Sequence, residues 1–211
     1  LAEDIEPILV QTPGREARLA EPAVSVMDDL VAALAAELRQ LLTSPFAFFG
    51  HSMGSLVAFE LARKLRADQP ELPGPVHLFV SAERAPHLIK PPAVTNDRLT
   101  DAEFLADPVR VRPDSPLRTD PVFTELMLPT YRADSLLVER YHCEPDAMVD
   151  CPISAFVGEY DEVVLPESVA QWKQHTSAAF RLRLLPGAED AFFRPDVAAM
   201  ITGAVRSDLA G

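Results

Sequence analysis

At 211 residues the chain is long enough for one sizeable core, and its 48% hydrophobic content is that of an ordinary globular protein. A net charge of −13, from 32 acidic against 19 basic residues, excludes nucleic acid as a partner, because phosphate binding needs a basic face. No apolar run reaches the ~18 residues of a membrane helix, and Cys143 and Cys151 lack metal-ligand spacing, so a soluble chain with free thiols and no metal is expected.

In chain order, Ile5 to Gln11 reads as a short strand stopped by Thr12-Pro13-Gly14. Leu30, Val31, Leu34, Leu38, Leu41 and Leu42 recur at three and four, which predicts a helix within Ser25–Leu42. Pro45 to Phe49 is a continuous apolar run, as in a strand buried on both faces and central in a parallel sheet. A helix follows at once through Leu56, Phe59, Leu61 and Leu65, ending among Arg63, Lys64 and Arg66. Val76–Ala82, Ile153–Val157 and Phe180–Leu185 read as further strands, and the alternation implies right-handed βαβ units. Between them, about Pro86 to Asp150, the rhythm breaks into helical patches at Asp101–Leu105, Val122–Leu128 and Arg132–Tyr141, which reads as a helical insertion.

Gly50-His51-Ser52-Met53-Gly54 fits G-x-S-x-G at a strand-to-helix junction, the context that gives this motif meaning. Ser52 would be the nucleophile of an α/β-hydrolase fold, and the backbone N–H of Met53, at a helix N-terminus, would face a developing oxyanion. In that fold an acid and then a histidine follow on loops after later strands. Gly158-Glu159-Tyr160-Asp161-Glu162 follows Ile153–Val157, and Asp161 is the natural orienting carboxylate, with Glu159 and Glu162 as substitutes. After Phe180–Leu185 comes Pro186-Gly187-Ala188-Glu189-Asp190-Ala191-Phe192-Phe193, with no histidine. His51, His77, His87, His142 and His175 all precede that strand. His51 points away in such a turn, His77 reads as a core histidine and His175 as a partner for a helix end, which leaves His87 and His142 as candidates for a displaced base.

The chain resembles the type II thioesterases that serve polyketide and nonribosomal peptide synthases. The resemblance runs through Gln11-Thr12-Pro13-Gly14-Arg15-Glu16, Phe49 to Arg63, Arg84-Ala85-Pro86-His87, Leu128 to Asp134, Cys151-Pro152-Ile153 and Trp172 to Thr176. It implies hydrolysis of acyl thioesters on the phosphopantetheine arms of acyl carrier or peptidyl carrier proteins, without a cofactor of its own, in the cytoplasm. It also implies a core at 1–85 and 151–211 with a lid insertion at 86–150. Members of that family begin with a further strand and a His-Ala-Gly-Gly-like loop, which this sequence does not contain. Their late motif reads Pro-Gly-Gly-His-Phe-Phe; counted back from Phe192, the histidine slot holds Ala191, and counted forward from Pro186 it holds Glu189.

Three functions are therefore to be told apart: a thioesterase impaired by the lost histidine, a carboxylesterase on the same fold, and a non-catalytic module that binds carrier proteins. An acidic carrier protein would need a local basic patch, for which Arg63, Lys64 and Arg66, or Arg110, Arg112 and Arg118, are the candidates.

Overall fold

The computed structural model describes residues 5–68, 70, 73–188 and 194–210. Four strands form one parallel sheet in the order β1 (Ala47–His51), β2 (His77–Ser81), β3 (Ile153–Gly158) and β4 (Phe180–Leu185). The helices are α1 (Met27–Leu38), α2 (Met53–Asp68), α3 (Asp101–Ala106), α4 (Pro116–Thr119), α5 (Pro121–Glu139), α6 (Pro166–Val169) and α7 (Pro195–Leu209). β2 and β3 are buried at every position because both of their edges are paired and both faces are covered, which is what their continuous apolar runs dictate. This is the α/β arrangement of a hydrolase fold, a parallel sheet flanked by helices. No helix among the described residues is long and apolar enough to cross a membrane.

Two strand expectations need correction. Ile5–Gln11 is not a strand, and Ile8, Leu9 and Val10 are exposed. Its apolar content mimics a strand, but a strand needs a partner ladder, and none is formed among the described residues. The run ending at Phe49 is β1, yet it is the end strand of the described sheet, and Phe49 is 41% exposed.

The chain divides into two compact units. The first, Leu1–Ile8 with Val31–Leu88 and Cys143–Gly211, carries the sheet; the second is Leu9–Leu30 with Ile89–His142. In the first, Phe79, Phe156, Leu185, Ala188, Val197 and Ile201 form a core between the sheet and α7. Asp208 of α7, its side chain 1% exposed, accepts from the Ser154 hydroxyl of β3 at 2.7 Å and pairs with Arg181 and Arg183 of β4. His77 Nε2 lies 3.0 Å from the same hydroxyl, so one polar chain fastens α7 across three strands. Burial lowers the pKa of His77, in keeping with a neutral core histidine.

In the second unit, Phe104, Val111, Leu117 and Leu128 are buried together. The two helical patches expected at Val122–Leu128 and Arg132–Tyr141 are a single helix, α5, with Pro129 inside it. Proline removes one hydrogen bond to the residue four earlier; here Pro129 and Glu125 are both exposed, so water can serve the freed carbonyl. The Gln11–Arg15 motif belongs to this unit. Gly14 has φ +84, its carbonyl accepts from Thr130 Oγ1 at 2.6 Å, and Arg15 pairs with Asp134. A Cβ on Gly14 would meet Ala23 at 2.7 Å and Thr130 at 2.9 Å, so glycine is required there twice over. Those bonds explain why residues 9–30 group with 89–142, whereas the sequence suggested an insertion bounded at 86 and 150.

Candidate active site

β1 ends in His51 and α2 begins at Met53, so Ser52 alone makes the turn. It does so at φ +49, the left-handed region that a serine side chain disfavours. Two donors hold it there. Ser52 N–H donates to the carbonyl of Ser81 at the end of β2 (2.8 Å), and the single hydrogen of the buried Ser55 hydroxyl is shared between the carbonyls of Gly50 (3.0 Å) and Ser81 (3.2 Å). Gly50 lies so close to α2 that an added Cβ would sit 2.1 Å from the carbonyl oxygen of Gly54. The outcome is an exposed Ser52 on a sharp, braced elbow. Met53 is the first residue of α2, so its N–H has no acceptor within the helix. Ser55 was not singled out from the sequence, because a serine inside a helix pattern carries no signal of its own.

All four strands are parallel, so the exits of β1, β2, β3 and β4 share one edge. Asp161 leaves β3 at that edge and is only 5% exposed. Its Oδ1 accepts from the N–H groups of Val163 (2.9 Å) and Val164 (2.8 Å), while Oδ2 is buried with no hydrogen-bond partner among the described residues. A buried carboxylate oxygen without a donor is costly, and such atoms call for an explanation. Glu159 is otherwise engaged: its carboxylate accepts from Gly187 N–H at 3.1 Å. Glu162 is exposed, so of the three acids Asp161 is the one with an oxygen held in reserve.

The loops after β3 and β4 are stitched together. Glu159 N–H donates to Leu185 O (3.1 Å) and Tyr160 N–H to Ala188 O (2.9 Å). Residues 189–193 follow directly; Ala191 and Glu189, the two occupants of the expected histidine slot, lie outside the described residues.

Four histidines are engaged within the sheet-bearing unit. His77 opens β2 at the opposite edge of the sheet. His175 is fully buried, with Nδ1 2.8 Å from Ala147 O and Nε2 2.7 Å from His87 Nδ1. His51 Nδ1 is 3.2 Å from Ser81 Oγ. His142 belongs to the other unit. A further acid, Glu83, follows β2 at the same edge as Ser52, and burial pushes its carboxyl up to about 7. Its position two residues beyond the end of β2 was the available signal.

A strained serine at a helix N-terminus, on the strand edge that also presents a buried carboxylate, is the equipment of acyl transfer through a serine ester. Residues 1–202 match the thioesterase domain family. The chain belongs to that family. Among its relatives is the gramicidin S biosynthesis protein GrsT of Aneurinibacillus migulanus, 37% identical over 195 residues that cover 90% of this chain and 73% of that protein. Solved structures of the type II thioesterase BorB from the borrelidin biosynthetic cluster (31% identity, TM-score 0.79, 94% of this chain and 79% of that one) and of YbtT, a type II thioesterase from the yersiniabactin pathway (30%, 0.77, 93% and 79%), share its fold. As a member of this group the thioesterase is a hydrolase, and its relatives serve polyketide and nonribosomal peptide pathways.

Five of the six cations in the two expected basic patches of this thioesterase face its own carboxylates. Arg63 pairs with Glu60, Lys64 with Asp68 and Arg66 with Asp150. Arg110 pairs with Asp107 and Glu139, and Arg112 with Asp114, while Arg118 donates to the Val111 carbonyl.

Proposed function

We propose that this thioesterase hydrolyses acyl thioesters carried on the phosphopantetheine arms of acyl carrier or peptidyl carrier proteins, as an editing or release enzyme, in the cytoplasm. Ser52 Oγ attacks the thioester carbonyl, the Met53 N–H receives the developing negative charge, the pantetheine thiolate leaves, and water then cleaves the ester on Ser52. No cofactor is needed for these steps. The observation that carries the reading is the reserved Asp161 Oδ2: a buried acceptor on the same sheet edge as Ser52 is what an orienting carboxylate offers to an imidazole N–H. The sequence supplies no imidazole at 186–193, so the proton of Ser52 passes to water and turnover stays near background.

The experiment is hydrolysis of acyl-pantetheine thioesters, with mass spectrometry of the Ser52 adduct and Ser52→Ala as the blank. A slowly formed acyl adduct on Ser52 supports the reading. The missing histidine favours a second reading, a carrier-protein binding module without chemistry; tight association with an acylated carrier protein and no adduct would select it. Faster cleavage of oxyesters than of thioesters would select a carboxylesterase.

A further inference from the structure

The chain leaves the sheet-bearing unit after Leu88 and returns to it at Cys143. Both connections are seated on one short segment, the 3-10 turn Ala170–His175 and α6 before it. On the departing side, Trp172 Nε1 donates to Glu83 O (2.9 Å), Ala85 N–H to Ser168 O (3.1 Å), and His87 meets His175. On the returning side, His175 meets the Ala147 carbonyl, and Val149 N–H donates to the carbonyl of His175 (3.0 Å). Trp172 and His175 are fully buried, each edge-on to Phe59 of α2, so the seat is fixed in the core.

Proton positions in the chain of bonds follow from its ends. A carbonyl can only accept, so His175 Nδ1 carries hydrogen; neutral His175 then has a bare Nε2, which accepts from His87 Nδ1–H. A proton added to His87 leaves this bond in place and adds charge to it. A proton added to His175 alone can still be met by the other tautomer of His87, whose bare Nδ1 accepts; once both rings are protonated, N–H faces N–H and cation faces cation, and the bond must break. We propose that His87, His175 and the Ala147 carbonyl are a proton-gated clasp across the two connections of the segment 89–142, closed until both rings carry a proton. When His175 takes a proton beside a protonated His87, His87 is expelled and the departing connection is freed, while the returning one stays bonded through His175 Nδ1. The proposal does not depend on the catalytic reading.

The elements packed against the pair carry Glu60 and Arg63 on α2, Glu83 and Arg84 after β2, Lys173 on the turn itself, and Glu144 and Asp146 before Ala147. Burial lowers the pKa of His175 first of all, the Ala147 carbonyl opposes this, and the positive charges of His87 and Arg63 lower it further. Opening therefore belongs to acid, below the usual histidine value of about 6.5.

The test is side-chain NMR of 15N-labelled protein with hydrogen exchange of backbone amides, between about pH 7.5 and about pH 5, the range in which histidines titrate. At neutral pH a coupling between His87 Nδ1 and His175 Nε2 is expected across the hydrogen bond. As it disappears in acid, exchange at Ala85 and Leu88, corrected for intrinsic rates, should rise at least about fivefold, the size of one lost hydrogen bond. Val149 and the amides of β3 should not follow. His87→Phe, at a half-buried position, should show the faster exchange at both pH values and no step between them. His175 and His87 both titrating at or above about 6.5 without a change at Leu88 would overturn the proposal. So would an undiminished pH step in His87→Phe.

Discussion

Gly187 donates its backbone N–H to the carboxylate of Glu159 at 3.1 Å, a bond that ties the exit of β4 to the exit of β3. With the bonds from Glu159 to Leu185 and from Tyr160 to Ala188, it holds residues 185–188 against the loop of Asp161. The first prediction follows. Ala191→His is expected to raise Ser52-dependent thioester hydrolysis by at least ~10³-fold, within the ~10⁶-fold that the serine or histidine of such a triad contributes. Steady-state hydrolysis of an acyl-pantetheine, compared with Ser52→Ala in the same background, measures it. Robust Ser52-dependent turnover by the unaltered chain would show that another group already accepts the proton.

Asp161→Asn in the Ala191→His background should then lose most of the gained activity, up to about 10⁴-fold in kcat, with little change in KM, because an amide presents the wrong partner to the imidazole. The same substitution in the unaltered chain should change turnover by less than about tenfold, since no imidazole waits to be oriented. Equal losses in both backgrounds would mean that Asp161 serves the fold alone.

Asp208 should govern stability in acid. Burial alone would raise its pKa, but the Ser154 hydrogen bond and the Arg183 and Arg181 charges outweigh it and hold the carboxyl below the usual value. A depressed carboxylate contributes stability that is complete above its unfolded pKa of about 3.9 and disappears as pH falls through the folded value. Asp208→Asn is expected to cost about 1.5–3 kcal/mol at neutral pH, the range for hydrogen bonds to a charged group. It should also flatten the fall in stability below about pH 4. Urea unfolding at a series of pH values tests both.

The two glycines of the elbow should behave oppositely. Gly50→Ala drives a Cβ into the backbone of α2, 2.1 Å from Gly54 O and 2.3 Å from its carbonyl carbon, and is expected to cost about 3 kcal/mol, the upper end for forced overpacking. Gly54 has nothing within 4 Å of such a Cβ and lies inside α2, so Gly54→Ala should be neutral or stabilising by up to about 1 kcal/mol. Thermal unfolding of both variants decides; similar losses would contradict the geometry.

β3 differs by one residue from where the sequence placed it, because a buried parallel strand leaves an apolar run between breakers, and β4 begins and ends as expected because Phe180, Leu182 and Leu184 alternate with Arg181 and Arg183 in the pattern of a strand with one polar face. Ser52 and Asp161 were legible for a related reason: Ser52 directly follows β1, and Asp161 stands in the loop three residues after the end of β3. Ile5–Gln11 misled because local composition says nothing about whether a neighbouring strand is present. Pro129 divided α5 in two because proline weakens a helix locally, while the packing of Leu128, Ala133 and Leu137 holds it continuous. The His87–His175 bond joins positions 88 apart, and the open oxygen of Asp161 is a property of its surroundings; neither leaves a trace in local sequence.

The ion pairs of Arg63, Lys64, Arg66, Arg110 and Arg112 bear on the kinetics of encounter. A cation already facing a carboxylate a few ångströms away projects only a dipolar field, which dies off faster with distance than that of a bare charge. With a net charge of −13, approach by an acidic partner is opposed at long range and not steered. Association with an acidic carrier protein should therefore be at or below the unsteered range of about 10⁵–10⁶ M⁻¹s⁻¹, and should quicken when salt is added. Recognition would then depend on short-range contacts made after collision, so that specificity among acidic partners resides in dissociation rates.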